Sequence, residues 1–215
     1  MPMPESEEAA SVPRVAKDDQ TYARLVAVAR AEFLGSGFAG ATVASIAAKA
    51  GISKKTVYQY AASKEALMYE VVADACQTLF SAIFTSASSD LVRSEVAHCL
   101  IEFCLLSTSE DGVTAHRLAI GEARQFPKMA QAYKDALEAY VIEPLAAWVR
   151  RQNDLGRLRA DDPKLAADML ACMVVSPFVR DLSLGVRPKP TRDEIERTVS
   201  TALNLFHAGV AARLD

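Results

Sequence analysis

Among the 215 residues, one run concentrates side chains able to read the hydrogen-bonding edge of another molecule: Ser53-Lys54-Lys55-Thr56-Val57-Tyr58-Gln59-Tyr60. A lysine pair offers donors to guanine acceptors or phosphates, a threonine suits a thymine methyl or the sugar-phosphate backbone, and a glutamine matches adenine's donor and acceptor. On a helix starting after Ser53, Val57 turns inward while Lys54, Lys55, Thr56, Tyr58 and Gln59 project on and around the N-terminal end. Lys64, with the free N–H groups at the start of the next helix, makes a phosphate-binding end.

Such groups work only if short helices hold them, and the cap chemistry supplies those helices. A first helix runs from about Gln20 and is stopped by Gly35-Ser36-Gly37. The Thr42 hydroxyl can accept an orphaned backbone N–H and N-cap a second helix, Val43–Ala50, which Gly51 ends by tolerating the left-handed conformation. Ser53 caps a third, Lys54–Tyr60, and Ser63 a long fourth from Lys64 to about Ala87. Two short helices across a tight glycine turn in a basic segment fit the helix-turn-helix pattern, whose second helix enters the DNA major groove. Further on, the spacing predicts a helix from Asp90 to about Ser107, a loop at Glu110-Asp111-Gly112, and a helix from Thr114 to Gln125. Another runs from Pro127 to about Leu155, kinked or broken at Pro144. Asp162-Pro163 opens a helix that Pro177 bends and Gly185 ends, and the capping box Thr191-Arg192-Asp193-Glu194 opens the last. Apolar residues recur at helical spacing almost throughout and no turn signal separates alternating apolar runs, so the chain reads as all-α.

The net charge is −3, yet residues 12–64 hold eight bases against three acids, which is +5. With three acids in residues 1–11, the remaining 65–215 carry −5. A basic head on an acidic body marks a polyanion-binding segment. G-x-S-x-G, Walker, H-E-x-x-H and dinucleotide glycine patterns are missing from the sequence, and His98, His116 and His207 pair with no Ser or Cys motif, so no enzyme, cofactor or metal is expected. Cys76, Cys99, Cys104 and Cys172 lie in apolar helical contexts without C-x-x-C spacing and read as buried hydrophobes in a reducing cytosol. No uncharged stretch exceeds sixteen residues (Phe33–Ala48; the apolar stretch Ala75–Ser89 has fifteen), where a membrane span needs roughly 18. The glutamate-rich start is the reverse of a secretory leader, and a cytoplasmic protein is expected.

From the first helix to the start of the fourth, the chain resembles the N-terminal domain of the TetR family of transcriptional regulators. Leu25-Val26, Val28-Ala29, Phe33, Gly37-Phe38, Thr42-Val43, Ile46-Ala47, Ala50-Gly51-Ile52-Ser53, Thr56-Val57-Tyr58-Gln59-Tyr60 and Ser63-Lys64-Glu65-Ala66-Leu67 stand in the family's order and spacing. Ala61 and Ala62 depart from it, where an aromatic and then Pro or Gly are usual. The resemblance implies that Lys54, Lys55, Thr56, Tyr58, Gln59 and Tyr60 stand at DNA-contact positions, with Lys55, Thr56 and Gln59 on base edges and Thr42 and Lys64 on phosphates. The C-terminal half, from His116-Arg117-Leu118 through Arg124-Gln125-Phe126-Pro127 to Gly156-Arg157-Leu158 and Asp162-Pro163, is similar to the AefR-like subgroup. That likeness implies a small-molecule site and dimerisation through the last two helices.

The expected organisation is a flexible arm (1–19), a helix-turn-helix DNA-binding domain (20–67) and a larger helical effector-binding and dimerisation domain (68–215). One helix-turn-helix makes few base contacts, so such proteins pair to read half-sites about 34–36 Å apart or a multiple of that distance. Two stripes are candidates for a homodimer face: Leu165, Met169, Cys172, Met173 and Ser176, and Ile195, Val199, Ala202, Leu203, Phe206 and Val210. Core packing within one chain explains either stripe equally well. Phe103, Leu106, Arg117, Trp148, Met169 and Met173 are the expected effector-lining residues, with Arg117 or His116 as a polar handle in a mostly apolar pocket. The function these readings imply is a ligand-responsive regulator, a repressor released from a palindromic double-stranded operator by a small apolar or amphipathic molecule. The alternative is a metal- or thiol-responsive regulator using Cys99 and Cys104 beside His98 and His116.

Overall fold

A computed structural model describes residues 19–77 and 94–210. Its elements are α1 (Asp19–Gly40), α2 (Val43–Lys49), α3 (Lys54–Tyr60), α4 (Lys64–Cys76), α5 (Ser94–Ser107), α6 (Glu110–Glu122), α7 (Pro127–Leu137), α8 (Glu143–Asp154), α9 (Pro163–Ser183) and α10 (Arg192–Val210). The expected end of the fourth helix near Ala87, the start of the next at Asp90 and the N-terminal arm up to residue 18 lie outside the described residues. No helix among the described residues is long and apolar enough to cross a membrane.

The caps form as their chemistry dictates. Thr42 Oγ1 accepts from Ser45 N at 3.0 Å, Ser53 Oγ from Thr56 N at 3.0 Å and Ser63 Oγ from Ala66 N at 3.1 Å. Asp162 Oδ1 accepts from the amides of Lys164 and Leu165, each at 3.0 Å. Thr191 N donates to Glu194 Oε2 (2.8 Å) while Glu194 N donates to Thr191 Oγ1 (3.2 Å), a reciprocal capping box. Each cap satisfies a donor that the first helical turn leaves without an intrahelical partner.

Three boundaries differ from the sequence reading. First, α1 runs through Gly35 and Ser36 and breaks only at Gly37, whose φ of 72° and ψ of 168° lie in a region that essentially only glycine occupies. Second, the expected loop at Glu110-Asp111-Gly112 is the first turn of α6. The helix starts at Glu110 and not at Thr114: Ser109 caps it by accepting from Gly112 N at 3.0 Å, and Glu110 and Asp111 complement the positive end of the helix. Third, Pro144 does not break the path from Pro127. A π-helical turn, Glu138–Ile142, joins α7 to α8 and places Pro144 in the first turn of α8, where a missing N–H costs little.

The apolar spacing of α1 places Leu25, Val26, Ala29 and Phe33 on one buried face, where they meet Phe38, Ile46, Val57 and Leu67 to close the head. Burying each such large side chain stabilises by roughly 1.5–3 kcal/mol. α4 leaves the head and packs along α7, and α9 lies against α8, α5 and α10. Tyr22 donates to Glu70 Oε2 at 2.6 Å and Arg30 pairs with Asp74 at 2.9 Å, so α1 is tied to α4 by polar contacts beyond the core. The stripe Ile195, Val199, Ala202, Leu203 and Phe206 of α10 is buried within the single chain, whereas Leu165 and Met169 of α9 are exposed.

The turn between α5 and α6 is packed against backbone. A methyl group on Gly112 would fall onto the Leu106 carbonyl oxygen and lie 2.9 Å from that of Ser107, while one on Gly121 meets nothing within 4 Å. Gly112→Ala therefore lowers unfolding free energy by about 1–3 kcal/mol, as overpacking does. Gly121→Ala is neutral or slightly stabilising, because alanine favours helix. Urea denaturation of the two variants against the wild type checks both.

Candidate nucleic-acid interface and internal cavity

α2 and α3 are held by α1 from behind. Glu32 of α1 accepts from Ser45 Oγ at 2.8 Å and pairs with Lys49, so one carboxylate fixes both turns of α2. Those two partners hold the Glu32 carboxyl below its ordinary range. The α2–α3 turn closes with Ile52 N on Ala47 O at 3.0 Å. Val57 is buried, and this phases α3 so that Lys54, Lys55, Tyr58 and Gln59 face solvent. Thr56 is half-buried and its hydroxyl meets Ser53 Oγ at 2.8 Å. Tyr60 is half-buried against Tyr22, ring centroids 5.9 Å apart. Thr42 is exposed, its oxygen engaged in capping α2; the hydroxyl keeps its own donor for another partner. One helix thus presents two cations, a phenol and an amide side by side, a set able to contact phosphates and base edges together.

Lys64 sits differently from its neighbours. Its ammonium donates to Phe38 O at 2.6 Å and Ala41 O at 3.0 Å and lies 4.2 Å from the Phe38 ring centroid. Two of its three donors are spent inside the head, which leaves one for a phosphate. On the other side of the same turn, the Glu122 carboxylate accepts from Phe38 N (3.2 Å) and Ala39 N (3.1 Å). Glu122 carries no sequence signal of this role, since its partners are more than eighty residues away.

A cavity of about 1100 Å³ lies between α1, α4, α5, α6, α7 and α9. Its walls include Phe33, Met68, Val71, Phe103, Leu106, Leu118, Tyr133, Val175 and Val179. It reaches the upper end of the range that takes small molecules. Burial lowers the His116 pKa and pushes the Tyr133 phenol up to about 12, so both border the cavity as neutral hydrogen-bonding groups near pH 7. Arg117 also borders it, and its guanidinium donates to Leu182 O (2.6 Å) and Ser183 O (3.1 Å) at the end of α9.

Of the six residues expected to line a pocket, Phe103, Leu106 and Arg117 do. Trp148, Met169 and Met173 do not. Trp148 is buried on α8 with its ring 6.4 Å from that of Phe206. Met169 is exposed, and Met173 lies in a shallow groove with Pro177 and Leu205. Helical phase is the reason: the cavity takes Ala171, Val175 and Val179 of α9, which stand about 100° per residue away from the methionine face. Tyr133 borders the cavity without having been singled out by any motif, and Cys172, expected to be a buried hydrophobe, is exposed at the cavity's border.

Two families match the chain: bacterial regulatory proteins of the tetR family over residues 25–71, and the AefR-like transcriptional repressor C-terminal domain over residues 97–209. Among solved structures, the flavonoid-responsive regulator FrrA is 24% identical with a TM-score of 0.69, covering 91% of this chain and 99% of that one. A TetR family transcriptional regulator from Pseudomonas syringae pv. tomato str. DC3000 is 27% identical with a TM-score of 0.62, covering 91% and 99%. The transcriptional regulator FadR from Bacillus subtilis, in complex with stearoyl-CoA, is 18% identical with a TM-score of 0.62, covering 87% and 98%. No curated protein matches.

The thiols bear on the metal or redox alternative. Among the described residues no three of His, Cys, Asp and Glu are grouped to hold a metal ion. Burial pushes Cys99 up to about 11 and Cys104 to about 12, and Cys104 Sγ lies 3.8 Å from Val174 O. Burial pushes Cys76 up to about 12 as well. A thiolate is the reactive form, so these three thiols resist iodoacetamide at pH 8 in the native protein and react once it is unfolded. Mass-spectrometric mapping before and after denaturation checks this; rapid native labelling of Cys99 or Cys104 would restore the thiol-sensor reading.

Proposed function

Because the chain belongs to the tetR family of bacterial regulatory proteins, we propose that it is a repressor that binds a palindromic operator as a homodimer and is released by a largely apolar small molecule. The observation that carries this reading is the joint presence of an exposed Lys54-Lys55-Tyr58-Gln59 face and a large apolar cavity, joined by α4 and α6. α3 supplies the base readers Lys55, Thr56 and Gln59, with Lys54, Tyr58 and Tyr60 beside them and Thr42 and Lys64 toward phosphates. Phe103 and Leu106 supply apolar contact in the cavity, His116 and Tyr133 neutral hydrogen bonds, and Arg117 a link between α6 and α9. FrrA's response to flavonoids and FadR's complex with stearoyl-CoA support a bulky, mostly apolar ligand as the size class for this fold.

Control follows from differential affinity. A ligand moves the protein from nearly all DNA-competent to nearly all released only if it prefers the released form by about 5.5 kcal/mol. Operator DNA then weakens ligand binding by the same factor.

The dimer face is assigned to the outer side of α9 with its neighbour on α10. Leu165 is 55% exposed, Met169 58% and Leu205 60%, a patch that a second copy would cover by twofold symmetry. Phe206 and Leu203 are core residues, so a charge there tests folding and not pairing.

Selection from random-sequence duplexes followed by footprinting yields a palindrome; no enrichment would overturn the reading. On the selected duplex, Lys55→Ala and Gln59→Ala each cost about 1–3 kcal/mol and relax one base position. Lys54→Ala flattens the salt slope by about one unit. Leu205→Glu leaves the fold intact and yields monomers in sedimentation equilibrium, because its charge would have no partner in an apolar interface.

A further inference from the structure

We propose that Glu122 is the positioning residue through which the C-terminal half sets the DNA-reading head, by clamping the turn that leads into α2. The inference rests on the regulator reading above and adds the contact that links cavity to head.

Glu122 is the last residue of α6, and both of its carboxylate oxygens are spent on backbone amides of the head: Oε1 accepts from Phe38 N at 3.2 Å and Oε2 from Ala39 N at 3.1 Å. These contacts span 84 and 83 residues of sequence, so only the tertiary fold makes them. Hydrogen bonds to a charged acceptor are the stronger kind, and a carboxylate that bridges two consecutive amides fixes both position and orientation.

The turn is built to receive it. Gly37 precedes the two amides with φ 72°, and a Cβ there would lie 2.8 Å from Glu122 Oε1. Glycine is therefore needed twice, for the backbone angle and for the approach of the carboxylate. The carbonyls of the same turn are held from α4, since Lys64 donates to Phe38 O and Ala41 O. Ala41 is followed at once by Thr42, the cap of α2. An anion from the body and a cation from α4 thus grip opposite poles of the turn on which the helix-turn-helix hangs.

The same helix carries the cavity wall. Leu118 and Gly121 of α6 border the cavity, and Leu118 lies one helical turn before Glu122. Phe126, just beyond α6, packs edge-on against Phe38 at 5.2 Å. A ligand that pushes α6 outward draws the carboxylate off the two amides, and the turn loses its orientation relative to α4. The structure shows this contiguous chain of contacts in its clamped arrangement; the proposal adds a released one, so that both sites bias the same element.

The test uses the full-length protein and a duplex that the wild type selects from a random-sequence library. Glu122→Gln keeps the shape and removes the charge, and Glu122→Asp keeps the charge and shortens the reach. In both, affinity for the selected duplex falls by about tenfold, the loss of one charge-assisted contact. Affinity for an unselected duplex stays near wild type, because the cations of α3 are untouched. Amide hydrogen exchange at Phe38 and Ala39 accelerates while that of Val57 does not. A purely structural role would instead lower both affinities together, and that result overturns the proposal. Wild-type affinity with unchanged exchange at Phe38 and Ala39 in Glu122→Gln also overturns it, and Glu122→Asp decides if the glutamine variant fails to fold. If the wild type itself selects no sequence, the regulator reading fails and this inference with it; selection by the wild type with an indifferent Glu122→Gln fails the inference alone.

Discussion

Phe38 is the residue on which the arrangement turns. Its ring is fully buried and meets Phe33 of α1 at 5.5 Å and Phe126 at 5.2 Å, with the Lys64 ammonium 4.2 Å from its centre. Its N–H points to an acid from α6 and its carbonyl to a base from α4. One side chain therefore belongs at once to the core of the head, to the start of α4 and to the junction with the C-terminal half. It reaches that place because Gly37 reverses the backbone at the end of α1. Truncating Phe38 would open a void in the head directly beside the backbone N–H and carbonyl that Glu122 and Lys64 hold, so apolar and polar terms act on the same point.

The C-terminal half divides its helices between packing and space. α9 shows this within its own length: Leu170, Val174 and Phe178 enter the core, Ala171, Val175 and Val179 border the cavity, and Leu165 and Met169 face outward. Three functions are separated by helical phase alone. The π-helical turn between α7 and α8 belongs to the same economy of space. Its Val141 and Ile142 border the cavity, and Glu138 within it binds Lys134 and the first turn of α9 through Lys164. Such turns occur often at functional sites, where one extra residue bends a wall without breaking the helix. A large apolar cavity leaves its lining with fewer packing partners than a filled core would, a loss that a ligand able to occupy it offsets.

What could be read from the residues in order was whatever their near neighbours settle. The hydroxyl and carboxylate caps at Thr42, Ser53, Ser63, Asp162 and Thr191 act on amides two or three positions away, so residue type and spacing suffice. The outward face of α3 follows from a single buried valine and a helical period. The all-α class and the family resemblance rest on the same local signals, summed over many residues. Boundaries that depended on competition between neighbours were less legible: α6 starts under the Ser109 cap and not at Thr114, and the turn at Pro144 was resolved by a π-helical insertion that no residue type announces.

Partner choice between distant elements was decided by the tertiary structure. The two apolar stripes of α9 and α10 look alike in sequence, yet one faces outward and the other is core, because amphipathicity records that a helix has a buried side and not which surface covers it. Trp148, Met169 and Met173 carry the residue types of a binding pocket and stand outside it, since cavity walls are made by the phase of whole helices. Glu122 carries no motif, and its contact with Phe38 and Ala39 exists only once α6 is docked beside Gly37. The sequence by itself therefore determined the all-α class, most of the caps and the solvent-facing side of α3, all set by forces acting within a few residues. The cavity, the outward stripe and the clamp between body and head were set by packing among helices far apart in the chain, where many residues of similar type compete for the same places.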